Sequence, residues 1–474
     1  MMVIDKIQKN EILQLESIDT HQKADVSDIK RFMERWNADP CFREQVSIDP
    51  YKSMTCYGLK LDPEEIRALC NLNFSQEFPE KVSNSAYFKT LQEFTHKNRI
   101  DVIMKSIAAS SREPRFKAWR ERQIARAVRQ FKKCHQDSIL HAPICFELSK
   151  GCSVGCWFCA ISAPQLSNIF IYNQENAKLW HEILELMKEI LGTAASSGFC
   201  YWATDPFDNP DYEKYCCDFH NILGIFPSTT TAQSLKDPER TRAFLKLSNK
   251  KGCLLNNFSI LSLKMLNEVH KEFSAEELKF VRLALQNKEA NTIKANAGRT
   301  RERNLKKREK NSEFSEQGTI ACVTGFLFNM VDRSVRLISP CNADDRWPLG
   351  FIVYDEGTFL DAEDLKALLE RMMVDNMPLT VRSSDLISFA DDLKYESLAD
   401  GFQLSTKFKT FKFRNQLYLR DLGEVIHKGD KTAEDIAFLF NLRGVSSADI
   451  FSTLNLLFEK GVLDYEPKPR SSLL

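Results

Sequence analysis

The chain has 474 residues, and 65 Lys and Arg balance 65 Asp and Glu, so its formal net charge is zero at pH 7. That balance gives no overall pull towards nucleic acid or an anionic membrane, and no apolar run is long enough to span a bilayer. The start, Met1-Met-Val-Ile-Asp-Lys6, lacks the basic-then-apolar order of a signal peptide, so a cytoplasmic location is expected, where the 14 cysteines are mostly free thiols rather than a disulfide framework.

Residues 1–135 read as a helical N-terminal region. Asp62 caps a helix that opens on Pro63, with Ile66, Leu69 and Cys70 as its apolar stripe. Cys41, Cys56, Cys70 and Cys134 fall in this region, and packing is their default role. The basic stretch 117–133, with Arg120, Arg122, Arg126 and Arg129, reads as a solvated helix face. From 136 to 355 short apolar runs alternate with helical patterns. Strands are expected at 144–149, 198–204, 221–226, 252–260, 319–328 and 335–338, with an amphipathic helix at 177–191. Such alternation predicts an α/β fold, a partial (βα) barrel with its site at the C-terminal ends of the strands. The basic run 294–310 reads as a solvated helix or loop, or as a lid that meets an acidic peptide. Residues 339–350, rich in Pro and Gly and holding Cys341, form an ordered loop.

A connecting α/β region is expected at 356–405 and a small winged-helix-like C-terminal domain at 406–474. Its signals are a β-ribbon pattern at 407–419, helices at 432–442 and 447–457, and a short strand at 461–465. The second helix is acidic and apolar where a DNA reader would be basic, so no nucleic-acid partner is expected. The unit resembles the peptide-recognition domain of enzymes that modify ribosomal peptides.

Within the α/β region, Cys152-Ser-Val-Gly-Cys156-Trp-Phe-Cys159 places three cysteines at spacings of four and three, just after an apolar strand. Three thiolates on one loop suit three irons of a 4Fe-4S cluster and leave the fourth iron open. A zinc site usually takes four ligands from CxxC pairs, and no second pair exists in this chain. The motif resembles the signature of the radical S-adenosyl-L-methionine (SAM) enzymes, in which the open iron takes the amino and carboxylate groups of SAM. The segment around Ala203, Thr204 and Asp205 resembles their Gly-Gly-Glu-Pro motif. Thr204 and Asp205 would then accept hydrogen bonds from the SAM ammonium group. A simple turn is the alternative, since Asp-Pro is common in turns. Phe158 stands where that superfamily flanks the adenine, and Thr229, Thr230, Thr231, Asn257 and Ser259 lie at strand ends that line such a site. The remaining eleven cysteines show no spacing suited to a second cluster. Cys200 and Cys253 read as core residues. Cys322 lies in a strand-like run, whereas Cys341 lies in the ordered loop, and a positioned thiol can return a hydrogen atom to a carbon radical.

Taken together, residues 146–159, 201–212, 226–232, 257–262, 297–299 and 336–350 resemble the radical SAM peptide epimerases of proteusin (polytheonamide-type) maturation. The resemblance implies L-to-D epimerisation within a ribosomally made precursor peptide, bound through its leader and core. It implies a 4Fe-4S cluster on Cys152, Cys156 and Cys159, SAM as co-substrate, and an electron donor such as ferredoxin or flavodoxin. It further implies that a cysteine downstream of the cluster motif returns the hydrogen atom; Cys341 is assigned this part ahead of Cys322. A radical SAM maturase that forms thioether or carbon–carbon crosslinks is the rival enzyme reading, and a zinc-binding adaptor the non-enzyme one.

Overall fold

The computed structural model describes residues 25–70, 86–253, 256–292, 294–306 and 318–467. They fall into two compact units that divide between Phe94 and Thr95. The first unit is helical: α1 (Val26–Ala38), α2 (Pro40–Ile48), α3 (Pro50–Cys56), α4 (Pro63–Cys70) and α5 (Ala86–Thr95). Asp39 and Asp49 cap the two helices that follow them, each with proline in the first turn. The apolar faces meet in a core that includes Phe32, Trp36, Phe42, Ile66 and Phe88. Cys41 and Cys56 are exposed, against the expectation that they pack. Their helices turn Phe42, Val46 and Met54 inward instead.

The second unit is mixed α/β. It begins with α6 (Asp101–Ala108), α7 (Pro114–Gln130) and the short α8 (Lys133–Gln136). The strands β1 (Ala142–Glu147), β7 (Val323–Asn329), β8 (Ser334–Pro340) and β9 (Phe351–Thr358) form one sheet in that order. β1 and β7 are parallel, and β7, β8 and β9 are antiparallel. One face carries Phe146, stacked on Phe328 and edge-on to Trp180 of α9 (Gln174–Leu191); on the same face Phe326 stacks on Phe116 of α7. Aromatic burial of this kind is worth several kcal/mol per ring.

A second sheet, β4 (Thr230–Thr231), β5 (Asn256–Ile260) and β6 (Val281–Leu285), is wholly parallel. Its crossovers are α11 (Pro238–Lys250) and α12 (Leu263–Glu272), as strand–helix alternation requires. Residues 198–204 are not a continuous strand and pair only through Phe199 with Cys145. The strand expected at 221–226 is instead the end of α10 (Tyr212–Leu223), which stops at Gly224 in the left-handed conformation. β6 and β9 had no counterpart in the sequence reading.

α7 overturns the expectation of a solvated basic face. Arg120, Arg122, Arg126 and Arg129 are all buried. Arg120 donates to His141 O, and Arg122 donates to Pro378 O and stacks on Phe458 at 4.0 Å. Arg126 reaches Ser339 Oγ, Pro340 O and Glu466, while Arg129 pairs with Asp392 and meets Gly461 O. Burial pushes the Arg120 and Arg122 guanidiniums down to about 10, still charged at neutral pH. A planar five-donor group tolerates such a place because carbonyls and carboxylates fill its fork. α7 thus fastens the β8 end to the C-terminal segment.

That segment follows α14 (Ala362–Asn376). It contains an antiparallel sheet, β10 (Lys394–Leu398), β11 (Gly401–Ser405) and β12 (Thr410–Arg414), with α15 (Leu419–Lys428), α16 (Ala433–Asn441) and α17 (Ser447–Glu459). They share a core around Phe402, Leu422, Ile436, Phe440, Leu454 and Phe458. The two expected helices are present. The ribbon pattern at 407–419 yields only β12, because Leu419 and Leu422 open a helix that packs on Phe402. The final strand reduces to one bridge, Leu463 to Phe389.

Candidate metal centre

β1 ends at Glu147, and the chain passes through β2 (Ser149–Lys150) into the three-cysteine loop. The loop closes on itself: Cys152 N–H donates to Pro164 O, and Leu166 N–H donates to Cys152 O. Gly151 (φ +83°) makes that closure possible, since a Cβ there would lie 2.3 Å from Gln165 O. Cys152, Cys156 and Cys159 are each half-buried free thiols. Burial, then the neighbouring Cys152 and Cys159, pushes the Cys156 thiol up to about 11, and burial also raises Cys152. Ala163 N–H points at Cys159 Sγ, 3.3 Å away.

Two carboxylates tie the loop and the strand before it to the segments that follow. Asp208 accepts both the N–H (2.9 Å) and the hydroxyl (2.5 Å) of Ser153, and a further bond from Gln233 Nε2 (2.7 Å). Glu147, buried at the end of β1, accepts from Ala203 N–H and Asn329 Nδ2, each at 2.9 Å. It joins the cluster-loop strand to the segment that carries Thr204 and Asp205, a role the sequence reading missed.

Thr204 and Asp205 are buried beside this loop. Asp205 Oδ1 accepts from Thr231 Oγ1 (2.7 Å) and Phe207 N–H (3.1 Å), and Oδ2 from Ala232 N–H (2.7 Å). Burial outweighs those donors and raises its carboxyl to about 6. Phe158 is half-buried, edge-on to Trp157, with Lys294 over its ring at 5.7 Å. At the start of the parallel sheet, Thr230 donates to Tyr201 Oη, and Asn257 Nδ2 donates to Thr230 Oγ1. Thr229 meets Tyr212 Oη, and Ser259 lies on β5 opposite Ala284.

The two candidate donor cysteines lie in different surroundings. Cys322 packs against a cluster that includes Cys145, Phe199 and Trp202, which Ile161, Tyr201 and Ala203 also join. Cys341 is 4 % exposed, and burial pushes its thiol up to about 12. It lines a cavity of about 350 Å³ together with Arg129, Arg346, Trp347, Asp392 and Glu466. Both lie just outside the strands: Cys322 precedes β7 and Cys341 follows β8. Along β8, Ser339 Oγ accepts from Arg126 of α7, whereas Ile338 points the other way, into the cluster that Cys322 packs against. Arg336, opposite Leu327 and hence on the face of Cys145, is another residue of that side without an assigned role in the sequence reading.

The donor set suits a sulfur-ligated cluster: three half-buried thiols on one eight-residue loop, anchored by side chains that are not themselves thiols. Among the described residues, no three His, Cys, Asp or Glu side chains converge closely enough to hold a metal ion. Among the described residues, no helix is long and apolar enough to cross a membrane.

No protein-family model matches the chain. Among solved structures, BtrN in complex with AdoMet and 2-DOIA shows 11% identity over 41% of this chain and 71% of its own, at a TM-score of 0.27, a likeness too slight to carry weight. A curated relative, the uncharacterized protein y4wI of Sinorhizobium fredii (strain NBRC 101917 / NGR234), is 37% identical over 465 residues, spanning 94% of this chain and 88% of that protein. The chain therefore belongs to the family of y4wI.

Proposed function

We propose that the protein is a radical SAM enzyme that converts L- to D-residues in a ribosomally synthesised precursor peptide. The observation that carries the reading is the eight-residue loop on which Cys152, Cys156 and Cys159 lie half-buried, beside the buried Thr204 and Asp205. These three thiolates would hold a 4Fe-4S cluster, which when bound would supply the electron that cleaves SAM to a 5′-deoxyadenosyl radical. Asp205 and Thr204 receive the SAM ammonium group, and Glu147 holds the Ala203 backbone that presents them. Phe158 and Ser259 line the adenosyl side. The radical takes the α-hydrogen of an L-residue, and a cysteine S–H returns hydrogen to the opposite face. The thiol sulfur is left one electron short, and a ferredoxin- or flavodoxin-class donor with a solvent proton restores it. The C-terminal sheet and its three helices take the leader of the precursor.

Cys341 is the assigned donor. Burial keeps it in the S–H form that hydrogen return needs, and it borders an open cavity. Cys322 is the second reading, favoured by its packing beside Trp202 and Ala203, next to the segment assigned to SAM. The test is anaerobic reconstitution with iron and sulfide, reduction with SAM, then turnover of a cognate precursor in D₂O. The reading expects 5′-deoxyadenosine and deuterium at the α-carbon of each inverted residue. Absence of deuterium there, or loss of two hydrogens from the peptide, rejects epimerisation. Cys341→Ala and Cys322→Ala assayed side by side identify the donor: only its removal stops deuterium incorporation while SAM cleavage continues.

A further inference from the structure

The basic run 294–310 contains the helix α13 (Gly298–Lys306), and the first turn of this helix clasps the three-cysteine loop from outside. Arg299 Nη1 donates to Cys156 O at 2.8 Å, and Nη2 donates to Ala163 O. Its backbone N–H donates to Cys159 O at 3.0 Å. The next residue, Thr300, donates from Oγ1 to Phe158 O at 2.9 Å. Four loop carbonyls, at 156, 158, 159 and 163, are therefore bound by two consecutive residues. Gly298 allows this approach: φ is +51°, and a Cβ would lie 2.4 Å from Ala160 O. Its own N–H donates to Pro348 O, which ties the clasp to the 341–350 loop. One helical turn further, Arg303 lies over Trp157 at 4.4 Å.

Among the described residues, Arg299 forms no ion pair; its guanidinium is directed at carbonyls. That use distinguishes it from Arg301, which pairs with the exposed Asp345. A forked donor that spans Cys156 O and Ala163 O fixes how far apart those two points of the loop can lie. Groups that hold a metal's ligands in place commonly change metal affinity by about 10–100-fold when removed.

We propose that Arg299 is a positioning residue for the cluster ligands: it sets the curvature of the loop from Cys156 to Ala163 before any metal binds, with Thr300 and Gly298 completing the clasp. The proposal rests on the cluster reading for its consequence, but its geometry is a property of the metal-free chain. Two measurements on the full-length protein therefore test it. In the metal-free form, alkylation of Cys156 and Cys159 is followed by mass spectrometry. After anaerobic reconstitution at limiting iron, iron and sulfide per chain are counted, and the electron paramagnetic resonance signal of the reduced protein is recorded.

Arg299→Ala is expected to expose both thiols to alkylation several-fold faster and to lower iron occupancy. Arg299→Lys keeps the charge but loses the fork; it is expected to load partially and to show a shifted signal, an effect that a loss of global stability alone does not produce. Arg301→Ala, which removes the same charge from the same helix, is expected to match the wild type. Equal alkylation rates and equal iron loading in wild type and Arg299→Ala overturn the proposal. Should Arg299→Ala not fold, Arg299→Lys carries the same comparison. If the wild type takes up no iron and sulfide, the cluster reading fails, and the alkylation contrast still decides whether Arg299 holds the loop.

Discussion

His141 precedes β1 and is fully buried, with Nδ1 2.7 Å from Thr324 Oγ1 and its carbonyl accepting from Arg120. Burial first, then the Arg120 and Arg126 charges, lowers its pKa from 6.5 to about 3. The folded chain thus keeps this ring neutral where the unfolded chain would protonate it. Between those two values the unfolded state binds more protons, so stability rises with pH and is lost as pH falls. With an unfolded value of 6.5, the loss attributable to His141 is about 1.4 kcal/mol at pH 5.5 and about 2.7 kcal/mol at pH 4.5, against almost nothing at pH 7.5. His141→Asn isolates it, because asparagine tolerates the left-handed backbone (φ +50°) found there. The variant carries a constant penalty for the smaller side chain, but that offset does not titrate. Urea denaturation at a series of pH values should show wild type and variant converging as pH falls from 7.5 to 4.5. Parallel stability curves would refute the assignment of a neutral, proton-refusing His141.

Arg126→Ala leaves Glu466, Ser339 and Pro340 O facing a vacated buried site and should cost about 3–5 kcal/mol, read as a lowered urea midpoint. Gly151→Ala forces a positive φ on a residue whose Cβ meets Gln165 O, at a strain of about 1–3 kcal/mol. It should lower Tm and iron content together. Asp208→Asn replaces the carboxylate that holds both donors of Ser153, so reconstituted iron should fall while the circular dichroism spectrum is retained. Replacing Cys152, Cys156 or Cys159 singly with Ala should abolish the brown chromophore of the reconstituted protein.

The three-cysteine loop, the strand before it, α9 and the two C-terminal helices were legible because their signals are local. Thiol spacing, an apolar run and a 3.6-residue stripe each depend on a few neighbouring residues. What the sequence could not show is where distant segments meet. The arginines of α7 have the composition of a wet surface, yet they are buried because carbonyls from residues 141, 340, 378 and 461 fill their forks. The residues at 221–226 are apolar enough for a strand, but helix α10 runs into them and the chain turns at Gly224. Composition does not distinguish Arg299 from Arg301 in the basic run at 294–310, and the resemblance at 297–299 did not say that Arg299 would grip a loop some 140 residues earlier. Likewise Cys341 and Cys322 differ in the sequence only in lying in a loop or in a strand-like run, and it is the tertiary structure that sets Cys341 on the cavity beside Arg129 and Cys322 against the cluster of Cys145 and Trp202. By itself, then, the sequence determined that three thiols share one short loop, because residues three and four apart stay near one another whatever the rest of the chain does. The tertiary structure decided what braces those thiols and which cysteine faces which space, because hydrogen-bond partners and strand faces are set by contacts between residues far apart in the chain.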